Sequence, residues 1–204
     1  MFDYLSPNYY FERYSDVTVD FMNTTSKGVY YWWGENFTAT VKGLEESGSM
    51  YWILPDENVT AEMLLQDEEV WRFIGSTGTY ENGKRMKVNL SVPKFDVSFD
   101  TDLVENLKNL GLTDCFSYDN SDFPHLLEAN TRKGIVVDEL QHGTRVSIDE
   151  DGVTGMSYSV IMLDSIVGIE PTYDEIDFVV DRPYIFVITG EDGSVMFIGV
   201  VNQL

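Results

Sequence analysis

The chain has 204 residues, 43% apolar and 14% aromatic, enough to bury a substantial core, which excludes a disordered or fibrous class. Asp and Glu total 35 against 13 Lys and Arg, and the resulting formal charge of −22 repels phosphate backbones and anionic lipid, so nucleic-acid and membrane partners are not expected. One cysteine excludes an internal disulfide framework, and no apolar run approaches the roughly 20 residues that span a bilayer.

In chain order, Met1-Phe2-Asp3-Tyr4-Leu5-Ser6-Pro7 lacks the basic and apolar stretches of a signal peptide. Residues 16–22 alternate apolar and polar side chains and predict a strand that stops at Asn23-Thr24-Thr25-Ser26-Lys27-Gly28. Further strands are expected over 28–34, 37–41 and 49–54, rich in aromatic and β-branched residues, the last closed by Pro55. Thr60 caps a helix whose Met63, Leu64, Val70, Trp71 and Phe73 form one stripe, and residues 75–83 form a loop. Met86, Val88, Leu90 and Val92 alternate with Lys87, Asn89 and Ser91 as a one-faced strand. A second helix is expected over about 102–110, with Leu103, Leu107 and Leu110 aligned and Gly111 as its C-terminal cap. Val146 and Ile148 face inward from a strand over 145–149, and two apolar runs, 184–188 and Val195–Val201, read as a hairpin buried on both faces. Between the 145–149 strand and this hairpin, residues 152–177 carry no clear element, although Met156, Val160, Ile161, Met162, Leu163, Ile166, Val167 and Ile169 make the stretch too apolar for a solvated linker. The fold class is β-dominated α+β in one domain.

Catalytic chemistry finds little support. Cys115, within Leu112-Thr113-Asp114-Cys115-Phe116, reads as a small buried thiol. His125 and His142 lack the spacing or Cys partners of a zinc site, and no Gly-x-Ser-x-Gly turn exposes a nucleophile. Asp149-Glu150-Asp151-Gly152 resembles the middle of a calcium loop, but Ser147 and Tyr158 stand where its first and last ligands belong. Asp174, Glu175 and Asp177 read as a solvated turn. Four Asn-x-Ser/Thr sites, at Asn23, Asn36, Asn58 and Asn89, matter only on a eukaryotic secretory route. No Gly-rich phosphate loop occurs, so neither an enzyme nor a cofactor or metal is expected.

Specific strings carry a resemblance. Met86-Lys87-Val88-Asn89-Leu90-Ser91-Val92-Pro93-Lys94-Phe95 is similar to the strand and Leu-Pro-Lys-Phe segment of serpins, and the run from Leu103 to Ser117 and Asp122-Phe123 follow as in that family. The stretch from His142 to Gly152 resembles the serpin strand that leads into the reactive-loop hinge. Phe178-Val179-Val180-Asp181-Arg182-Pro183-Tyr184-Ile185-Phe186 matches the family's late signature except at Tyr184, where the family prefers Phe. The closing strand, residues 193–202, matches as well, although Leu204 stands where Pro is usual. Val19-Asp20-Phe21-Met22 and residues 49–55 fit two earlier family strands. The chain thus resembles the C-terminal half of a serpin: a single partial domain over 1–204, with strands of the smaller sheets, two strands of the large sheet, and two or three helices. Residues 88–92 and 146–148 would belong to a large sheet that the chain lacks, leaving edges exposed.

The resemblance implies a sacrificial loop at 152–177 that a serine or cysteine protease cleaves before the loop inserts into a sheet. Its hinge would be Glu150, Gly152, Val153, Thr154 and Gly155. With Val153 inward, Gly155, Ser157 and Ser159 also point inward and are small, while Thr154, Met156 and Tyr158 point outward; this departs from the Ala-rich hinge of typical inhibitory members. Family spacing puts the reactive bond at Ile166-Val167, suiting an elastase-like or subtilisin-like enzyme, with Asp164-Ser165 as the alternative for an Asp-cutting one. The resemblance also implies secretion and a missing N-terminal half as partner. The alternative function is a non-inhibitory serpin-like protein or a fragment without inhibitory activity of its own.

Overall fold

The structure, a computed structural model, describes residues 4–13, 15–44, 48–76, 79–121, 123, 135–149, 152–153 and 171–202. Two compact units make up the chain, Met1–Asp96 with Ser147–Leu204, and Val97–Val146. The described elements are β1 (Tyr4–Arg13), β2 (Ser15–Trp33), β3 (Phe37–Gly43), β4 (Ser49–Pro55), α1 (Ala61–Leu64), α2 (Glu68–Ser76), β5 (Gly83–Pro93), β6 (Phe95–Asp102), α3 (Val104–Asn109), a 3-10 turn (Asp114–Phe116), β7 (Gln141–Asp149), β8 (Gly152–Val153), β9 (Glu175–Val179), β10 (Tyr184–Thr189) and β11 (Val195–Val201).

In the first unit, one sheet runs β11-β10-β4-β3-β2-β5-β9, and β1 also pairs with β2. All of these pairings are antiparallel except β5 with β9. β2 is one strand of 19 residues, so the expected break at 23–28 is a correction. The turn-prone residues there make a bulge instead: the register against β5 shifts between Ser26 and Val29, and Gly28 takes φ +69°. Glycine adopts that backbone without a Cβ penalty, and the ladder resumes on the far side.

Alternation sorts the sheet into two faces. Trp32, Phe37, Ala39, Ile53, Ile185 and Val187 lie on one face, against Ala61, Leu64, Val70, Phe73, Ile74 and Tyr80 from α1, α2 and the segment after them. On the other face, the Phe95 ring lies 5.2 Å from that of Phe186 and 6.2 Å from that of Tyr184. Each large side chain of this kind contributes about 1.5–3 kcal/mol on full burial.

The expected first helix is two helices. Thr60 caps α1, its hydroxyl accepting the Met63 N–H at 3.2 Å, but the Asp67 carboxylate accepts the Glu69 N–H at 2.9 Å and starts α2 afresh. The break rotates the stripe, so Met63 and Trp71 are exposed and Ile74 is buried in their place. Trp71 lies back across the break, its indole donating to the Leu65 carbonyl at 2.7 Å.

The predicted hairpin of β10 and β11 forms, pairing Tyr184 with Val201 through Ile188 with Phe197. It is not buried on both faces. β10 is buried throughout between β4 and β11, whereas β11 is the sheet's edge and exposes Val195, Met196 and Ile198. Residues 88–92 also have two neighbours in this chain, β2 and β9, rather than an unfilled sheet beyond it. β1, β6 and β9 were not anticipated as strands; Glu175 and Asp177 lie in β9, not in a solvated turn.

A three-stranded sheet has the order β6-β7-β8, so residues 146–148 sit in a strand with neighbours inside the chain, and Val146 and Ile148 are buried as the alternation requires. In the second unit, α3 is shorter than expected, and Leu110 is exposed rather than aligned with a core. Gly111 does cap it: with φ +93°, its N–H reaches the Lys108 carbonyl while the Leu112 N–H reaches that of Leu107, the paired bonds of a Schellman ending.

Tyr184 is fully buried, its hydroxyl has no hydrogen-bond partner among the described residues, and burial pushes its pKa well above the ordinary phenol value. An unsatisfied buried hydroxyl costs about 1–3 kcal/mol. Tyr184→Phe is therefore expected to stabilise the chain by that order, measured as a higher urea midpoint with unchanged slope. A lower midpoint would mean that the hydroxyl is satisfied.

Candidate functional site: the strands flanking residues 154–170

The segment singled out in the sequence is flanked by two strands of the first unit. On its N-terminal side, β8 pairs antiparallel with the end of β7, Ile148 opposite Val153 and Asp149 opposite Gly152. Two of the five expected hinge residues, Gly152 and Val153, thus form the two-residue strand β8 beside β7. Glu150, Thr154 and Gly155, the expected reactive bond Ile166-Val167 and the alternative Asp164-Ser165 lie outside the described residues.

The C-terminal side is held by β9, parallel to β5, with Val88 opposite Ile176 and Leu90 opposite Phe178. The pairing is extended at both ends: the Lys87 N–H donates to the Asp174 carbonyl at 2.8 Å, and the Val180 N–H donates to that of Ser91 at 2.9 Å. Phe178 and Val180 are buried, and the Phe178 ring meets that of Tyr31 edge-on at 6.3 Å.

The outward face carries a polar network across three strands. The Thr25 hydroxyl donates to the Asn89 Oδ1 at 2.9 Å, and the Asn89 Nδ2 donates to both Glu175 and Asp177 at 2.8 Å. Lys87 bonds Glu175 at 2.9 Å, and Lys84 bonds Asp174. Hydrogen bonding to Lys84 holds the Asp174 carboxyl below its ordinary range, and bonding to Lys87 and then Asn89 does the same for Glu175. Just before them, Tyr173 fills the bulge of β2: a Cβ on Gly28 would lie 2.9 Å from the Tyr173 hydroxyl.

Other candidates do not converge on a reaction site. Cys115 is half-buried in the 3-10 turn, not fully buried, and its carbonyl accepts the Val137 N–H at 2.9 Å. His142 is exposed, its Nε2 2.9 Å from the Thr144 hydroxyl; His125 lies outside the described residues, as do Glu150 and Asp151 of the calcium-like string. Among the described residues no group of three or more His, Cys, Asp or Glu could hold a metal ion. The anchoring network was missed in the sequence, although its signal was present: Lys87 and Asn89 recur at period two on a strand, as do Glu175 and Asp177.

Fold and site together define a strand-rich α+β protein in which residues 154–170 follow β8 of one sheet and precede β9 of the other in sequence. The serpin (serine protease inhibitor) family pattern matches residues 5–204, and the chain belongs to that family. It is 32% identical over 158 residues to Serpin-ZX of Arabidopsis thaliana, covering 75% of this chain and 39% of that protein. It is 30% identical over 159 residues to glia-derived nexin of Homo sapiens, covering 78% of this chain and 37% of the relative. Among solved structures, the thermophilic serpin Tengpin in its native state superposes with a TM-score of 0.76 at 27% identity, covering 98% of this chain and 50% of Tengpin. The chain therefore has the serpin fold and spans half or less of the length of these relatives. Serpins as a family are protease inhibitors rather than enzymes.

Both Asp174 and Glu175 have lowered carboxyl pKa values, so their contribution to holding β9 is complete above the ordinary carboxylate range and is lost as pH falls through the lowered values. Amide-exchange protection at Ile176 and Phe178 is expected to fall between pH 6 and pH 3. The double variant Lys84→Met, Lys87→Met should show less protection at pH 6 and a shallower further loss. Identical pH profiles for the two proteins would contradict this.

Proposed function

We propose that residues 1–204 form a single partial serpin domain acting as the loop-bearing C-terminal half of an inhibitor of serine proteases, with residues 152–177 as its reactive-centre-like loop. The observation that carries the reading is the pair of flanking strands: β8 alongside β7 before the segment and β9 alongside β5 after it. In this reading the protease serine attacks the Ile166 carbonyl, the Ile166-Val167 bond breaks, and Val167 leaves as a free amine. The freed loop then continues β8 along the edge of β7, with Gly155, Ser157 and Ser159 as its small inward residues. β8 supports that direction of growth because its two residues already pair antiparallel there.

No Lys or Arg occurs between Gly152 and Asp181, so the target is an elastase-like or subtilisin-like enzyme rather than a trypsin-like one; an Asp-cutting enzyme would use Asp164-Ser165. An N-terminal serpin half is the second partner. Exposed Val195, Met196 and Ile198 on β11 are the kind of apolar edge that such a half would cover. The second reading, a non-inhibitory relative, is favoured by Met156 and Tyr158, which depart from the Ala-rich hinge of typical inhibitory members.

Incubation with elastase, subtilisin and trypsin, followed by denaturing electrophoresis and mass measurement, separates the readings. Inhibition predicts a denaturant-stable covalent complex with elastase or subtilisin and a released peptide beginning at Val167. Cleavage without a complex, with or without an added N-terminal serpin half, would favour the non-inhibitory reading. An elastase that ignores residues 162–168 would remove the assigned bond.

Extracellular localisation is part of the proposal, and the four Asn-x-Ser/Thr sites then differ sharply. Asn23 is buried and bonded to Phe21 and Ser91, Asn36 donates to Asp67, and Asn89 donates to Glu175 and Asp177. Asn58 is exposed in a turn. Secretion from eukaryotic cells is expected to yield folded chain carrying a glycan at Asn58 and none at Asn23. Occupancy at Asn23 in a folded product would contradict the burial argument.

A further inference from the structure

The chain contains one Asn-Gly dipeptide, Asn82-Gly83, where β5 begins. Asn82 is exposed, in a bend. Its carbonyl accepts the Trp33 N–H at 3.1 Å, and no hydrogen bond restrains its side-chain amide among the described residues. The register pairs Trp32 with Gly83. In an antiparallel ladder, hydrogen-bonded and non-hydrogen-bonded pairs alternate. The bond from Trp33 to Asn82 makes theirs the hydrogen-bonded pair, so the Gly83 N–H turns away from β2. It turns toward the β9 side, where pairing starts only at Lys87.

Gly83 cannot be exchanged for a larger residue to protect this bond. A Cβ there would lie 2.3 Å from Cδ1 of Trp32, a side chain only 1% exposed that stacks at 5.3 Å with Tyr30. Packing in the core therefore fixes the residue that leaves Asn82 least shielded.

We infer that Asn82-Gly83 is a spontaneous self-modification site at which Asn82 is converted through a succinimide to aspartate and isoaspartate. The Gly83 amide nitrogen, having lost its proton, attacks Cγ of Asn82. An N–Cγ bond forms, the Cγ–Nδ2 bond breaks, and Nδ2 leaves as ammonia with the proton supplied by solvent. Water then opens the five-membered imide at either carbonyl. The isoaspartate product puts an extra carbon into the backbone, which displaces the carbonyl that receives the Trp33 N–H. It also adds a negative charge beside Glu81, two residues before the Lys84 that holds Asp174. The modification thus reaches the β5 end of the loop anchor without touching the loop.

The test is incubation of the folded chain at neutral and at alkaline pH, with peptide mapping of residues 80–87. The expected result is replacement of the amide by a carboxyl in that peptide, with an isoaspartate-containing component, faster at the higher pH because the attacking amide must deprotonate. Asn82→Gln, whose imide ring would be six-membered, should lose the conversion, and Asn82→Asp should reproduce the charge without waiting. If the excised peptide converts while the folded wild-type chain stays unchanged, the fold protects the bond and the inference is overturned.

Discussion

β2 must serve two edges at once over 19 residues, and the rest of the first unit depends on how it does so. One edge carries β5 along most of its length, from Phe21 opposite Pro93 to Trp32 opposite Gly83. The other carries β1 near its start and β3 near its end. A regular strand of that length would accumulate twist against neighbours of different length and direction. The bulge at Lys27 and Gly28 absorbs the mismatch by setting two residues of β2 opposite the single Lys87 of β5. Gly28 then presents a bare backbone on which Tyr173 rests. A single residue without a side chain therefore reconciles the sheet register and seats the end of the segment that follows the loop.

The two ends of that segment are held unequally. β8 contributes two paired residues, whereas β9 contributes five, with the flanking bonds of Lys87 and Val180, the buried Phe178 and the polar network of Asn89. Local stability rises with buried apolar contact and with shielded backbone hydrogen bonds. Of the two flanking strands, β9 is thus the more firmly held.

The elements legible in the sequence were those whose pattern and partners are local. Val88, Leu90 and Val92 alternate because one face of β5 is buried, and Thr60 announces its helix because a cap acts within three residues. What escaped depends on distant partners. The bulge in β2 read as a turn because Asn23, Thr24, Thr25 and Ser26 are turn formers, yet Asn23 bonds Ser91 and Thr25 bonds Asn89, partners more than sixty residues away. β11 read as interior because its composition matches that of β10; only the strand order reveals it as the edge. At the candidate site, the serpin strings singled out residues 152–177, of which Gly152 and Val153 lie in a strand beside β7. The β9 anchor stayed hidden because Glu175 and Asp177 look solvated until Lys87 and Asn89 are placed opposite them.

That anchor also explains how an acidic chain docks one of its acidic segments. With a charge of −22, the molecule repels a strand carrying Asp174, Glu175 and Asp177 unless something local reverses the field. Lys84, Arg85 and Lys87, three of only 13 cations, fall within four consecutive positions of β5. Arg85 is set over the Tyr30 ring at 5.1 Å, which leaves the two lysines to meet the carboxylates. Exposed pairs of this kind add little stability in themselves. Their larger effect is on register. Sliding β9 by one residue would turn Phe178 and Ile176 outward, which apolar burial forbids. A slide by two residues keeps the apolar face inward and is forbidden only by the polar one, because it would carry Glu175 away from Lys87 and leave Asn89 with one acceptor in place of two. Apolar alternation therefore selects the face, and the lysine-asparagine ladder selects among the registers that alternation allows.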